Sequence, residues 1–159
     1  MHQSETESSR NDRPRVTVAA IVEREGRFLV VEERGADGEL VINQPAGHVE
    51  GGESVIEAVI REAFEETGWH FRPEALVGIY LWRRPTGGVS FLRVAIAGSV
   101  DGYDPDSPLD EGIVRSLWLT REDLLSEKIR LRSPLVMKCI DDYLGGERHP
   151  LSVLKSLLS

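Results

Sequence analysis

Between Arg15 and Glu23 the chain reads RVTVAAIVE, a run of β-branched and small apolar residues, and after the turn signal REGR it resumes as RFLVVEER. Two such runs around a glycine-containing turn predict a β-hairpin. A second turn, GADGE, leads to a short extended stretch, LVINQP, after which Pro45, Gly47 and EGGE predict a loop. The period then changes. From Ser54 to Thr67 the apolar residues Val55, Ile56, Val59, Ile60, Ala63 and Phe64 recur at helical spacing, and Gly68 stands where a helix-terminating glycine is expected. ALVGIYLWRR and VSFLRVAIAGSV predict two more strands around PTGG, followed by the polar loop GYDPDSPLDEG and the strand IVRSLWLT. Thr120 then caps a short helix, REDLLSEK, and SPLVMKCIDDYLGG is an amphipathic helix with proline in its first turn and glycine past its end. Strands, a helix, strands and helices in that order predict an α+β fold, a mixed α/β sandwich in which helices cover a mixed sheet.

Composition narrows the function more than the fold. A chain of 159 residues with 40% apolar content supports one domain with a real core, expected over residues 15–159 behind a disordered polar tail at residues 1–14. The formal net charge of -8 argues against nucleic acid and anionic membranes as partners. It leaves anionic small molecules open, because a bound divalent cation inverts the local field. The single cysteine, Cys139, lies in an apolar-periodic stretch and offers neither an internal disulfide nor a cysteine-based zinc site. No apolar run approaches a membrane span and the first residues lack the apolar centre of a signal peptide, so a cytoplasmic protein is expected, as monomer or homodimer.

The chemistry concentrates in GHVEGGESVIEAVIREAFEETGWHF, residues 47–71. On a helix Glu62 and Glu66 are one turn apart with Glu65 between them in angle, so three carboxylates share one edge. Like charges one turn apart repel, so such an edge is either simply solvated or built around a cation. Oxygen donors without soft ligands suit Mg2+ or Mn2+ rather than zinc, and the Gly47 carbonyl is close by in sequence. Arg61 is placed to pair with Glu53 or Glu65 and brace the array.

The spacing from Gly47 to Trp69 resembles the Nudix box, G-x5-E-x7-R-E-U-x-E-E-x-G-U with U a bulky apolar residue, and every fixed position is present. Ala63 is a small residue at the first U position. VTVA, FLVVEE, NQPAGH, SFLR and LRSPLV, in that order, extend the resemblance to the NudJ-type Nudix phosphatases over residues 16–151. The resemblance implies a Nudix α/β/α sandwich whose Nudix helix carries a Mg2+ site. It implies hydrolysis of nucleoside tri- and diphosphates and of thiamine-type pyrophosphates, such as hydroxymethylpyrimidine pyrophosphate, with release of phosphate. Glu62, Glu65, Glu66 and the Gly47 carbonyl are then the implied metal ligands, with Glu62 in some relatives the base instead, while Glu53 and Arg61 support them. A further acid from outside the box is expected at Asp110 or Glu111, with Glu111 favoured.

Substrate contacts are read from residue type alone. Arg93 and Arg132 suit phosphate, set against the ordinary role of such arginines in surface ion pairs. Tyr80 and Trp82 suit stacking on a base or pyrimidine ring, set against core packing. His48 is placed to donate to a phosphate. Two other readings keep the fold: a pyrophosphatase on nucleotide sugars or dinucleoside polyphosphates that liberates a nucleoside monophosphate, and a non-catalytic ligand sensor. The intact box and the lack of room for a DNA-binding module weigh against the sensor.

Overall fold

Residues 18–22 are buried on both sides of the backbone, which marks the first strand as interior to a sheet and covered on both faces. The computed structural model, which describes residues 13–158, places it there. Strand β1 (Arg15–Ile21) runs parallel to β7 (Ser90–Asp101) and antiparallel to β5 (Ala46–His48), and β6 (His70–Arg83) closes the order β5-β1-β7-β6. A second sheet is centred on β3 (Arg27–Arg34), which pairs antiparallel with β8 (Ile113–Thr120) along one edge and with β2 (Glu23–Arg24) and β4 (Leu40–Asn43) along the other.

The expected hairpin is therefore only partly formed. The chain does reverse at Glu25 and Gly26, both at positive φ, as a tight hairpin turn requires. Only Glu23 and Arg24 pair across the ladder with β3, because the preceding apolar run is drawn into the other sheet. The expected loop at Pro45–Gly47 likewise contains a strand: β5 pairs Gly47 with Val18 and His48 with Thr17. Strand β6 starts at His70, earlier than the apolar run, and passes Pro73 with a register shift that accommodates the missing donor.

Alternate residues of the central strands feed two cores. Val18, Ala20, Val94 and Ile96 pack under α1 (Val55–Thr67) with Ala58, Val59 and Ala63. Ile21, Ala95 and Ala97 pack toward α3 (Leu135–Leu144) with Val136, Cys139 and Ile140. Helices on opposite faces of a mixed sheet make the α/β/α arrangement expected. The segment REDLLSEK supplies only one helical turn, α2 (Arg121–Leu124), capped by Thr120. The approach to α3 is tied to β4 by two backbone bonds, Ile42 N–H to the Arg130 carbonyl and Arg132 N–H to the Ile42 carbonyl, both 2.9 Å. That junction sets Arg132 and Ser133 beside the end of β4. Among the described residues no helix is long and apolar enough to cross a membrane. Of the expected tail at residues 1–14, residues 1–12 lie outside the described residues.

Candidate active site

Helix α1 begins in a capping box: Ser54 Oγ accepts from Glu57 N–H at 3.1 Å while Glu57 Oε1 accepts from Ser54 N–H at 3.2 Å. It ends at Gly68, in the left-handed conformation, whose N–H returns to the Phe64 carbonyl. The buried side of the helix runs through Ala58, Val59, Glu62, Ala63, Glu66 and Thr67, while Ile60 is out on the surface. The apolar stripe expected from the sequence is thus rotated, and two glutamates lie along the buried boundary.

Arg61 ties Glu62 to its acidic neighbours Glu53 and Glu65. Its guanidinium donates to Glu53 at 2.6 and 2.9 Å, to Glu62 at 2.9 Å, to Glu65 at 3.0 Å and to the His48 carbonyl at 3.1 Å. One side chain therefore joins the loop after β5, β5 itself and the helix, as a brace should. Glu66 turns the other way, and its Oε1 accepts the Ala46 N–H at 2.9 Å. Gly47 is where helix and strand meet most closely, since a Cβ there would occupy the position of the Glu62 carboxylate.

Carboxylate oxygens of Glu62, Glu65 and Asp110 lie within 4.8 Å of one another. Asp110, not Glu111, is the acid from outside the box that joins them. Its loop docks on the end of α1: Asp110 N–H donates to the Glu65 carbonyl at 3.0 Å, and Asp104 N–H to the Gly68 carbonyl at 2.9 Å. The helix end needs partners for its last carbonyls, and this loop provides them. That pairing sets the register, and Glu111 is left exposed outside the cluster.

The cluster is electrostatically costly without a cation. Burial raises the proton affinity of Glu62 in spite of the opposing Arg61. Burial and the neighbouring Asp110 raise that of Glu65. Burial pushes Glu66 up to about 9, with the charges of Glu62, Glu33 and Asp110 adding to it and the Ala46 N–H opposing. An all-oxygen donor set and a glycine that leaves room for the Glu62 carboxylate fit a hard divalent cation.

Next to the carboxylates opens a cleft of about 390 Å3, lined on one wall by Glu62, Glu66 and residues 46–48. Asn43, Glu33, Arg132, Ser133 and Leu135 line the cleft as well, and Thr17, Arg93, Trp82 and Phe91 contribute from the sheet. Trp82 and Phe91 are cross-strand neighbours, stacked with ring centroids 6.1 Å apart, and the Arg84 guanidinium lies 5.8 Å from the Phe91 ring. Arg132 reaches the cleft and pairs with Glu33 at 3.3 Å. Arg93 is buried rather than a surface partner, donating to Gln44 Oε1 at 2.8 Å and Asn43 Oδ1 at 3.1 Å. His48 faces the cleft, and burial together with Arg15 favours its neutral imidazole.

Tyr80 does not belong with the ring-stacking residues. It packs toward α3, and its hydroxyl donates to Asp142 at 2.7 Å. It shares a sheet face with Trp82, but α3 covers it. Asn43, Phe91 and Arg84 were not singled out from the sequence. Phe91 was legible in principle, two residues before Arg93 on a strand, whereas Asn43 enters only through the pairing of β4 with β3.

A model of the NUDIX domain matches residues 12–138. Phosphatase NudJ of Escherichia coli K12 is 40% identical over 142 residues, spanning 89% of this chain and 91% of that protein. Among solved structures, a NUDIX hydrolase from Nitrosomonas europaea matches with a TM-score of 0.88 at 46% identity, covering 91% of this chain and 97% of the other. A UDP-X diphosphatase matches with a TM-score of 0.68 at 16% identity, covering 94% and 74%, a likeness of fold alone.

Proposed function

The chain belongs to the Nudix family of hydrolases, and on that premise we propose that it is a Mg2+-dependent phosphatase removing the terminal phosphate from nucleoside tri- and diphosphates and from thiamine-type pyrophosphates, among them hydroxymethylpyrimidine pyrophosphate. The observation that carries this reading is the continuity of the cleft. Carboxylates at Glu62 and Glu66 share one cavity with arginines and a stacked aromatic pair. A pyrophosphate attached to an aromatic ring has matching parts.

Mg2+, with Mn2+ as a substitute, held by Glu62, Glu65, Glu66, Asp110 and the Gly47 carbonyl, would screen the phosphates, polarise the phosphoryl group and acidify the attacking water. The protein supplies the rest. Where it is not itself on the metal, Glu62, braced by Arg61 and left room by Gly47, takes the proton of the water that adds to the terminal phosphorus. The bridging P–O bond breaks, orthophosphate departs and the remaining phosphate stays on the ring-bearing product. Glu66, anchored to the Ala46 N–H, holds the helix edge against β5. Arg132 and Arg84 provide positive charge at the cleft, and Trp82 with Phe91 a flat apolar surface for the ring. The cytoplasm, as monomer or homodimer, is the expected setting.

A panel of GTP, GDP, thiamine pyrophosphate, ADP-ribose and a dinucleoside polyphosphate with Mg2+ tests the reading. Orthophosphate from the first three supports it. A nucleoside monophosphate with a phosphorylated fragment as the main products would replace it with the pyrophosphatase alternative. The cleft offers stacking and phosphate contacts rather than a base-reading edge, so kcat/KM across nucleotides should vary within about two orders of magnitude.

A further inference from the structure

Among the described residues no carboxylate lies within ion-pair distance of Arg93. Its side chain is 5% exposed, and both of its hydrogen-bond partners are neutral side-chain amides, Gln44 and Asn43. A guanidinium has five N–H donors. Nη1 and Nη2 make one bond each, and the buried Nε meets no hydrogen-bonding oxygen or nitrogen, with the Cys139 thiol as the neighbouring polar group. Burying an ionised group without a paired counter-charge is costly, so this arrangement is unexplained as packing alone.

The acid nearest in the bonding network is Glu33, which Asn43 Nδ2 approaches at 3.4 Å and Arg132 at 3.3 Å. Asn43 thus stands between Glu33 and Arg93, giving its carbonyl to the arginine and its amide to the acid. Gln44, almost fully buried, is itself held by the Val136 carbonyl at 2.8 Å, so the Arg93 fork is fixed from behind. Arg93 also borders the cleft. On the same face of β7, two residues away, lies Phe91, stacked on Trp82. Residues two apart on a strand are separated by about 7 Å.

We infer that Arg93 is an anion subsite of the cleft that takes the phosphate remaining on the ring-bearing part of the substrate, with Asn43 and Gln44 positioning its guanidinium. The inference rests on the proposed function for the identity of the anion, a phosphomonoester joined to an aromatic ring. It places the terminal phosphate at the carboxylate wall and the retained one at Arg93, which supplies the missing counter-charge.

The test is binding without turnover, in chelator, so that it does not depend on the metal site. Thiamine monophosphate and thiamine form one pair of probes, GMP and guanosine the other. In 15N-labelled wild-type protein the Arg93 Nε–H resonance, assigned by its loss in Arg93→Lys, should shift with either monophosphate and not with thiamine or guanosine. Arg93→Met should weaken both monophosphates by about tenfold or more, the scale of hydrogen bonds to charged groups, and leave thiamine and guanosine unchanged. Arg93→Lys should recover part of the loss. An unmoved Nε–H resonance at millimolar monophosphate overturns the inference, whether or not Arg93→Met folds. So does an equal loss of phosphorylated and unphosphorylated probes in Arg93→Met, the mark of a structural role. Failure of the proposed function would appear separately, as nucleoside monophosphate in the Mg2+ product panel.

Discussion

The carboxylates along α1 differ in what surrounds each of them, and so do the expected effects of changing them. Glu62 and Glu65 lie beside Arg61 and Asp110, while Glu66 is bonded to a β5 amide. Replacing each in turn with Gln keeps shape and removes charge. Steady-state rates in Mg2+ should fall by about 10^2-fold or more for Glu62→Gln, with little loss of melting temperature. Near-native turnover in both Glu62→Gln and Glu66→Gln would remove the site assignment. Asp110→Asn should raise the Mg2+ concentration needed for half-maximal rate, whereas Glu111→Gln should not, and the reverse pattern would restore Glu111. Gly47→Ala should keep the fold, because the clash is with the end of a flexible side chain, yet displace the Glu62 carboxylate and lower the rate. The box residues were legible because the helical period and the fixed spacing agree. The choice between Asp110 and Glu111 was not, since it depends on a loop whose register comes from a bond to the Glu65 carbonyl rather than from any local pattern.

Elements were legible where the signal is local. The helical period from Ser54 and the glycine that follows it predict the bounds of α1 closely, whereas β6 begins ahead of its apolar run. What failed was partnership. RVTVAAIVE reads as half of a hairpin, but a run buried on both faces belongs inside a sheet, and β1 takes β5 and β7 as neighbours. Tyr80 and Trp82 sit on the same face of one strand, and only the position of α3 decides that one is covered and the other borders the cleft. At this scale Arg61 matters most, since it links α1 to the His48 carbonyl and to Glu53 in the preceding loop. Arg61→Ala should therefore lower both activity and stability, by about 2 kcal/mol or more in denaturant unfolding, because several charge-assisted bonds are lost at once. Loss of activity with unchanged stability would mean that Arg61 acts in the chemistry and not as a brace.

For the molecule as a whole, the acidic site imposes a pH dependence on folding. Without metal, Glu66 has its proton affinity pushed up to about 9 from an ordinary 4.5, chiefly by burial. The folded state therefore binds its proton more tightly than the unfolded state does. Stability from this group is fully present below the unfolded value, declines as pH rises toward the folded value, and is level beyond it. Between those limits the slope is about 1.4 kcal/mol per pH unit. Glu66→Gln has no proton to lose, so in chelator its unfolding free energy should fall less steeply from about pH 5 to pH 8.5, and above neutrality it should exceed that of the parent protein. Parallel curves for the two proteins would show that Glu66 is not the group responsible. A divalent cation should act in the opposite sense to the burial penalty. It binds the ionised carboxylates, releases protons, and stabilises the fold increasingly as pH rises. The variant that is more stable without metal should therefore gain less from Mg2+, because it lacks a carboxylate that turns burial cost into cation affinity.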